Sequence, residues 1–113
     1  MMEATPIHLV SFWKEVSASH NVWTIHKDMH VPSVPDADGV YAMPFWSSED
    51  RAINFLKEVD GFEGFTPLEI PWALFKIKWI SDLIEKKMVA GVNWTGRGIG
   101  CRANPEELIE GVK

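Results

Sequence analysis

Residues His26-Lys27-Asp28-Met29-His30 place two imidazoles and a carboxylate at alternate positions, a set of side chains that suits zinc. On a strand, alternate side chains share a face, but positions i and i+4 then stand about 13 Å apart. One ion cannot span that distance unless the chain reverses, so solvated turn residues are the simpler reading and no metal site is assigned. Cys101, the single cysteine, would need an adjacent base to act as a nucleophile. It lies between Gly100 and Arg102 on an expected strand, where a lone cysteine ordinarily serves as a small apolar residue. Arg97 or Arg102 nearby would favour the thiolate, which alone makes no enzyme. Gly96-x-Gly98-x-Gly100 is followed by a strand. A phosphate-cradling loop instead needs a helix after it, so a hairpin is expected here. The carboxylate pairs Asp36/Asp38, Glu49/Asp50 and Glu106/Glu107 fall in a turn and in two helix first turns, where acids have structural reasons to be. No Ser/His/Asp set emerges. No catalytic residue, metal or cofactor is therefore expected, and the balance leans against an enzyme.

Tryptophan is the more informative residue, with 6 in the chain. Trp13, Trp72 and Trp79 sit on apolar helical stripes and read as core. Trp23 lies on the first strand. Trp46 falls between a strand end and a helix cap, and Trp94 falls at the mouth of the hairpin beside Asn93 and near Arg97. Tryptophan and arginine recur at binding hot spots because each combines a large contact area with a polar handle. Trp46 and Trp94 both follow strands and are expected to converge at one end of a sheet. The candidate binding residues are thus Trp46, Asn93, Trp94 and Arg97, expected as an exposed patch flanked by Glu49 and Asp50.

The elements that must position them follow from periodicity and punctuation. Thr5-Pro6 reads as a cap and first helical position, and Leu9, Phe12, Trp13 and Val16 fall at i, i+3, i+4, i+7, which predicts a helix over 6–19. Residues 22–26 alternate as a strand, 31–38 read as a loop, and 39–43 as a second strand ended on one side by Pro44. Ser47 or Ser48 caps a helix over 49–59. A third strand covers 65–70, with Pro67 marking an edge. Pro71 opens the main helix, whose stripe runs through Trp72, Phe75, Trp79 and Leu83 and is widened by Ile80 and Ile84. Residues 89–94 and 99–103 form strands around the turn Thr95-Gly96-Arg97-Gly98, and Asn104-Pro105 begins a short last helix. The order α-β-β-α-β-α-β-β-α predicts an α+β fold: a mostly antiparallel sheet of four or five strands with packed helices.

The chain has 113 residues, 46 % hydrophobic and 24 % charged, with a net charge of −5. This is one domain's worth, expected over 1–113, and its composition argues against disorder. The acidic balance argues against a nucleic-acid partner. One cysteine implies no internal disulfide, and the N-terminus shows no basic, apolar leader. The densest apolar stretch, 72–84, contains Lys76, Lys78 and Asp82 and is too short for a membrane span. A cytoplasmic protein without a membrane partner is expected.

Four segments carry a resemblance to a bacterial family known as domain of unknown function 2750: Met43-Pro44-Phe45-Trp46-Ser47-Ser48; Gly64-Phe65-Thr66-Pro67-Leu68-Glu69-Ile70-Pro71; Phe75 with Trp79-Ile80; and Val89-Ala90-Gly91-Val92-Asn93-Trp94 with its Gly-rich hairpin and Pro-Glu-Glu-Leu helix. The resemblance covers about 39–108. The loop over 31–38 departs from the family pattern. The resemblance implies no activity, and a coarser likeness to the N-terminal half of a secretion-enhancer domain is architectural only. The expected function is a non-catalytic protein-binding module, of adaptor or immunity type. The alternatives are a small-ligand domain or small enzyme with a pocket near Trp46 and Trp94, and a structural domain that forms a homodimer through an edge strand.

Overall fold

Helix α1 (Ile7–Ser19) buries Leu9, Phe12 and Val16, as its spacing predicts. It closes at His20, which adopts the left-handed conformation (φ 59°) and donates its N–H to the Val16 carbonyl. The computed structural model describes residues 6–113. The expected cap Thr5 lies outside the described residues, and Pro6 takes the capping position itself.

Strand β1 (Asn21–His26) and strand β4 (Thr66–Pro71) form an antiparallel two-stranded sheet. A second sheet has the order β2-β3-β5-β6, from Val34–Pro35, Tyr41–Phe45, Val89–Val92 and Cys101–Ala103. Its β3–β5 pair is parallel and the others are antiparallel. With helices α1, α2 (Glu49–Glu58), α3 (Trp72–Leu74), α4 (Ile80–Glu85) and α5 (Glu107–Glu110), the fold is α+β. Strand β2 falls inside the segment expected as a loop. The Asp36 carboxylate accepts the N–H groups of Asp38 (2.8 Å) and Val40 (2.9 Å), and this turn folds Val34 and Pro35 back onto β3.

The division into two sheets has its cause in Pro44. Trp23 and Trp46 exchange backbone hydrogen bonds of 2.8 and 2.7 Å, which joins β1 to the end of β3. The next pairing position on β3 is Pro44, which has no N–H. Its carbonyl instead accepts the Thr24 hydroxyl at 2.7 Å, and the ladder stops after a single pair. Because the Trp23 backbone faces β3, its neighbours Val22 and Thr24 face Ile70 and Leu68 of β4. Pro67 and Pro71 therefore turn their backbone outward, and β4 is an edge blunted by two missing donors.

The main helix departs from the expected α period. Residues Phe75–Trp79 are π-helical, and the Ile80 N–H bonds to the Phe75 carbonyl. An i→i+5 bond sets Ile80 above Phe75, where an α-helix would set Trp79. Phe75, Ile80 and Leu83 accordingly form the buried line. Ile84, expected to widen that stripe, is 49 % exposed.

The main core joins Leu9, Phe12 and Val16 to Phe45, Phe75, Leu83, Val92 and Leu108. Trp13, Trp72 and Trp79 pack partly buried against it. A second, smaller core under α2 gathers Ile25, Trp46, Ala52 and Phe55, with Trp94 packed against it. Ala90 and Val92 of β5 face the first core, so Gly91 between them faces the second.

Candidate functional site

Gly91 and Gly100 create the seat for Trp94. A Cβ on Gly91 would fall 2.4 Å from the Trp94 ring, and one on Gly100 would fall 2.6 Å from it. Glycine at both positions lets the indole lie flat on the backbone. The indole N–H donates to the Cys101 carbonyl at 3.0 Å. Arg102, opposite Gly91 in β6, holds its guanidinium 5.6 Å from the Trp94 ring centroid. The same guanidinium donates to the carbonyls of Val40 (3.1 Å) and Val34 (3.2 Å), and it pairs with Asp36.

The hairpin beyond Trp94 is folded by Thr95, whose hydroxyl oxygen accepts the N–H groups of Arg97 and Ile99, both at 3.3 Å. It returns against the end of α2, where a Cβ on Gly96 would fall 2.3 Å from the Glu58 Cβ. Between α2 and the hairpin lies a cleft of about 430 Å³, lined by Phe55, Trp94, Ile99, Cys101 and Arg102 among others. Its wall is mainly apolar. Ile99 is 47 % exposed at its rim.

Trp46 and Asn93 stand behind this surface rather than on it. Trp46 is fully buried, its N–H donating to the Trp94 carbonyl at 2.8 Å and its ring packed on Phe55 with centroids 5.0 Å apart. Asn93 is 2 % exposed and adopts the left-handed conformation (φ 53°), which turns the chain out of β5. Its side-chain carbonyl accepts the Ser47 N–H at 3.0 Å, and its amide donates to the Ser47 hydroxyl at 3.1 Å. Ser47 in turn donates to Glu15 at 2.8 Å, and Arg51 grips Glu15 through two bonds of 2.8 and 2.6 Å. The hydrogen bonds from Arg51 hold the Glu15 carboxyl below the usual glutamate range, against the opposing effect of burial.

The expectation of an exposed patch containing all four residues is thus corrected. Trp46 and Trp94 do converge, but as a buried support and a half-buried cleft wall. Arg97 is exposed at the hairpin tip, and Glu49 and Asp50 are exposed in the first turn of α2. The buried Asn93 amide is consumed in joining the Met43–Ser48 and Val89–Trp94 segments. Phe55, Ile99 and Arg102 belong to the cleft and were absent from the expected set. Phe55 reads as core from its helical stripe, whereas Arg102 had a signal: a strand returning past Trp94 must bring it alongside.

Cys101 is half-buried, and its thiol is pushed up by burial, with the Glu107 carboxylate acting in the same direction. It is held protonated rather than activated. The chain does reverse at 27–30, where Lys27 and His30 exchange backbone hydrogen bonds of 3.0 and 2.9 Å. Even so, among the described residues no group of three or more His, Cys, Asp or Glu side chains is placed to hold a metal ion. No helix among them is long and apolar enough to cross a membrane.

A family model described as Protein of unknown function (DUF2750) matches residues 9–112, nearly the whole chain and well beyond the 39–108 segment that carries the sequence resemblance. The chain belongs to that family. No curated protein matches it.

Proposed function

We propose that this member of the family is a non-catalytic, cytoplasmic protein-binding module whose contact surface is the Trp94 cleft and the hairpin above it. One observation carries the reading. The half-buried Trp94 ring lies on Gly91 and Gly100 with Arg102 beside it, and its backbone carbonyl is held by the Trp46 indole, yet it borders an open apolar cleft with Ile99 exposed at the rim. A rigid aromatic wall loses little entropy on contact, and Arg97 at the tip adds a long cationic arm. An adaptor or immunity-type role fits this arrangement. The protonated Cys101 thiol supports binding over nucleophilic chemistry.

A second reading rests on the concavity itself. A cleft of about 430 Å³ lies within the range of small-molecule sites, so a small apolar ligand is the competing occupant. The outward prolines of β4 weigh against a third, dimerisation through that edge.

The test is capture from the lysate of the chain's own cell, comparing the native chain with an Arg97→Glu/Ile99→Asp variant. Both positions are exposed, so the variant keeps its fold, as circular dichroism would verify. A protein retained by the native chain and lost by the variant supports the module and locates its face. Equal retention by both moves the contact off this face, and retention by neither counts against the module and favours a small-molecule occupant.

A further inference from the structure

A second cavity, of about 470 Å³, lies on the other side of the molecule between the reversal at 27–30 and the π-helical turn. Its apolar wall includes Met29, Met43, Trp79 and Leu83. Lys78, Asp82 and Lys86 line it as well, at successive helical turns, and His30 lines it from the reversal. The ion pairs among the described residues are Glu15–Arg51 and Asp36–Arg102, so this row of charges is engaged with neither a partner nor itself.

Two local features set the cavity apart from an ordinary surface hollow. Met29 is 92 % exposed and sits in the left-handed conformation (φ 65°), one that a long side chain rarely adopts. A large apolar side chain is thus held in water, in a strained turn, at the edge of an apolar cavity. The opposite side is built on the π-helical turn Phe75–Trp79, which supplies Lys78 and Trp79. Such turns recur where a helix is shaped for a ligand.

We propose that this cavity binds a small amphipathic monoanion, an aromatic or short aliphatic carboxylate. Its apolar body rests on Met43, Trp79 and Leu83 under Met29, and its carboxylate meets the ammonium group of Lys78 beside Trp79, while Lys86 adds positive charge one turn beyond Asp82. The formal charges of the lining, with histidine counted neutral, select the class: two lysines less Asp82 leave one excess positive charge beside the His30 ring, which matches a monoanion and not a polyphosphate. The predominance of apolar wall requires a body that leaves water on binding. This site is separate from the Trp94 cleft, and the proposal stands or falls independently of that reading.

Naphthalene-2-carboxylate is the probe, titrated into the full chain carrying ¹³C-methyl methionine, with naphthalene-2-carboxamide as its uncharged control. The Met29 and Met43 methyl signals are expected to shift saturably while that of Met88, which packs on the main core and does not line the cavity, stays in place. The carboxamide and the exposed-site variant Lys78→Glu/Lys86→Glu are each expected to weaken binding at least about tenfold, the scale of one lost charge contact. Absence of a methyl shift up to about 10 mM probe, far above any specific Kd, would overturn the proposal. So would equal binding of the carboxamide or unchanged binding by the variant.

Discussion

The indole N–H of Trp46 donates to the carbonyl oxygen of Trp94 across 2.8 Å, so the ring that fills the core under α2 also holds the backbone of the ring that walls the cleft. Trp46→Phe keeps an aromatic in that core but deletes the donor and leaves a part-buried carbonyl unpaired. We expect a loss of about 2–3 kcal/mol in urea unfolding, from the unsatisfied acceptor and the smaller ring together. The near-ultraviolet circular dichroism of Trp94 should change with it. A variant as stable as the native chain would show that the two rings are not coupled through this bond.

Gly91 and Gly98 test the seat of Trp94 against simple backbone strain. At Gly91 a methyl group would strike the indole at 2.4 Å, so Gly91→Ala must displace the ring. Overpacking of this kind costs about 1–3 kcal/mol. At Gly98 the space is open and the penalty comes only from φ +77°, about 1–2 kcal/mol for a residue with a Cβ. The stability losses overlap, but tryptophan emission separates them: it should shift for Gly91→Ala and stay constant for Gly98→Ala. A shift in both, or in neither, would contradict the proposed seat.

The order of helices and most strands was legible because each is written locally. The α1 stripe repeats at 3 and 4, and Ser48 with Glu49 and Asp50 announces α2. What escaped depends on partners far along the chain. An apolar pattern through Phe75, Trp79 and Ile80 is compatible with both α and π registers, and only packing against the sheet decides for Ile80 over Ile84. Pro44 was readable as an interruption, yet not as the reason that β1 and β3 meet at one residue pair. At the site, the meeting of Trp46 and Trp94 was legible from their places after strands. The burial of Asn93 was not, because an asparagine beside a hairpin reads as solvated until Ser47 is brought against it.

The Glu15–Arg51 pair gives the fold a dependence on acid. Its hydrogen bonds from Arg51 lower the Glu15 pKa in the folded state, so between that value and the unfolded one, about 4.3, the unfolded chain binds more protons. The contribution is therefore present above the unfolded value and is lost as pH falls through the folded one. Both side chains remain about one-third exposed, at 38 % and 35 %, and solvent screening keeps the effect to no more than about 1 kcal/mol. Urea midpoints of the native chain and Glu15→Gln should differ at pH 7 and converge as pH drops below about 4. Parallel pH profiles for the two would remove the pair from the stability of the fold.

Cys101 reports on the cleft without any knowledge of its occupant. Burial, aided by the Glu107 carboxylate, raises the thiol pKa, so the thiolate is scarcer at neutral pH than in an exposed cysteine. A disulfide reagent such as 5,5′-dithiobis(2-nitrobenzoate) should modify the folded chain several-fold more slowly than the urea-unfolded chain at equal pH. The folded rate should climb with pH as thiolate forms. Because Cys101 lines the cleft beside Trp94 and Arg102, an occupant seated there should slow the reaction further. Glu107→Gln should speed it, since removing the carboxylate removes one of the two causes of the raised pKa. Modification of the folded chain as fast as the unfolded one would mean that the thiol is neither shielded nor held protonated, and a nucleophilic role for Cys101 would return to consideration.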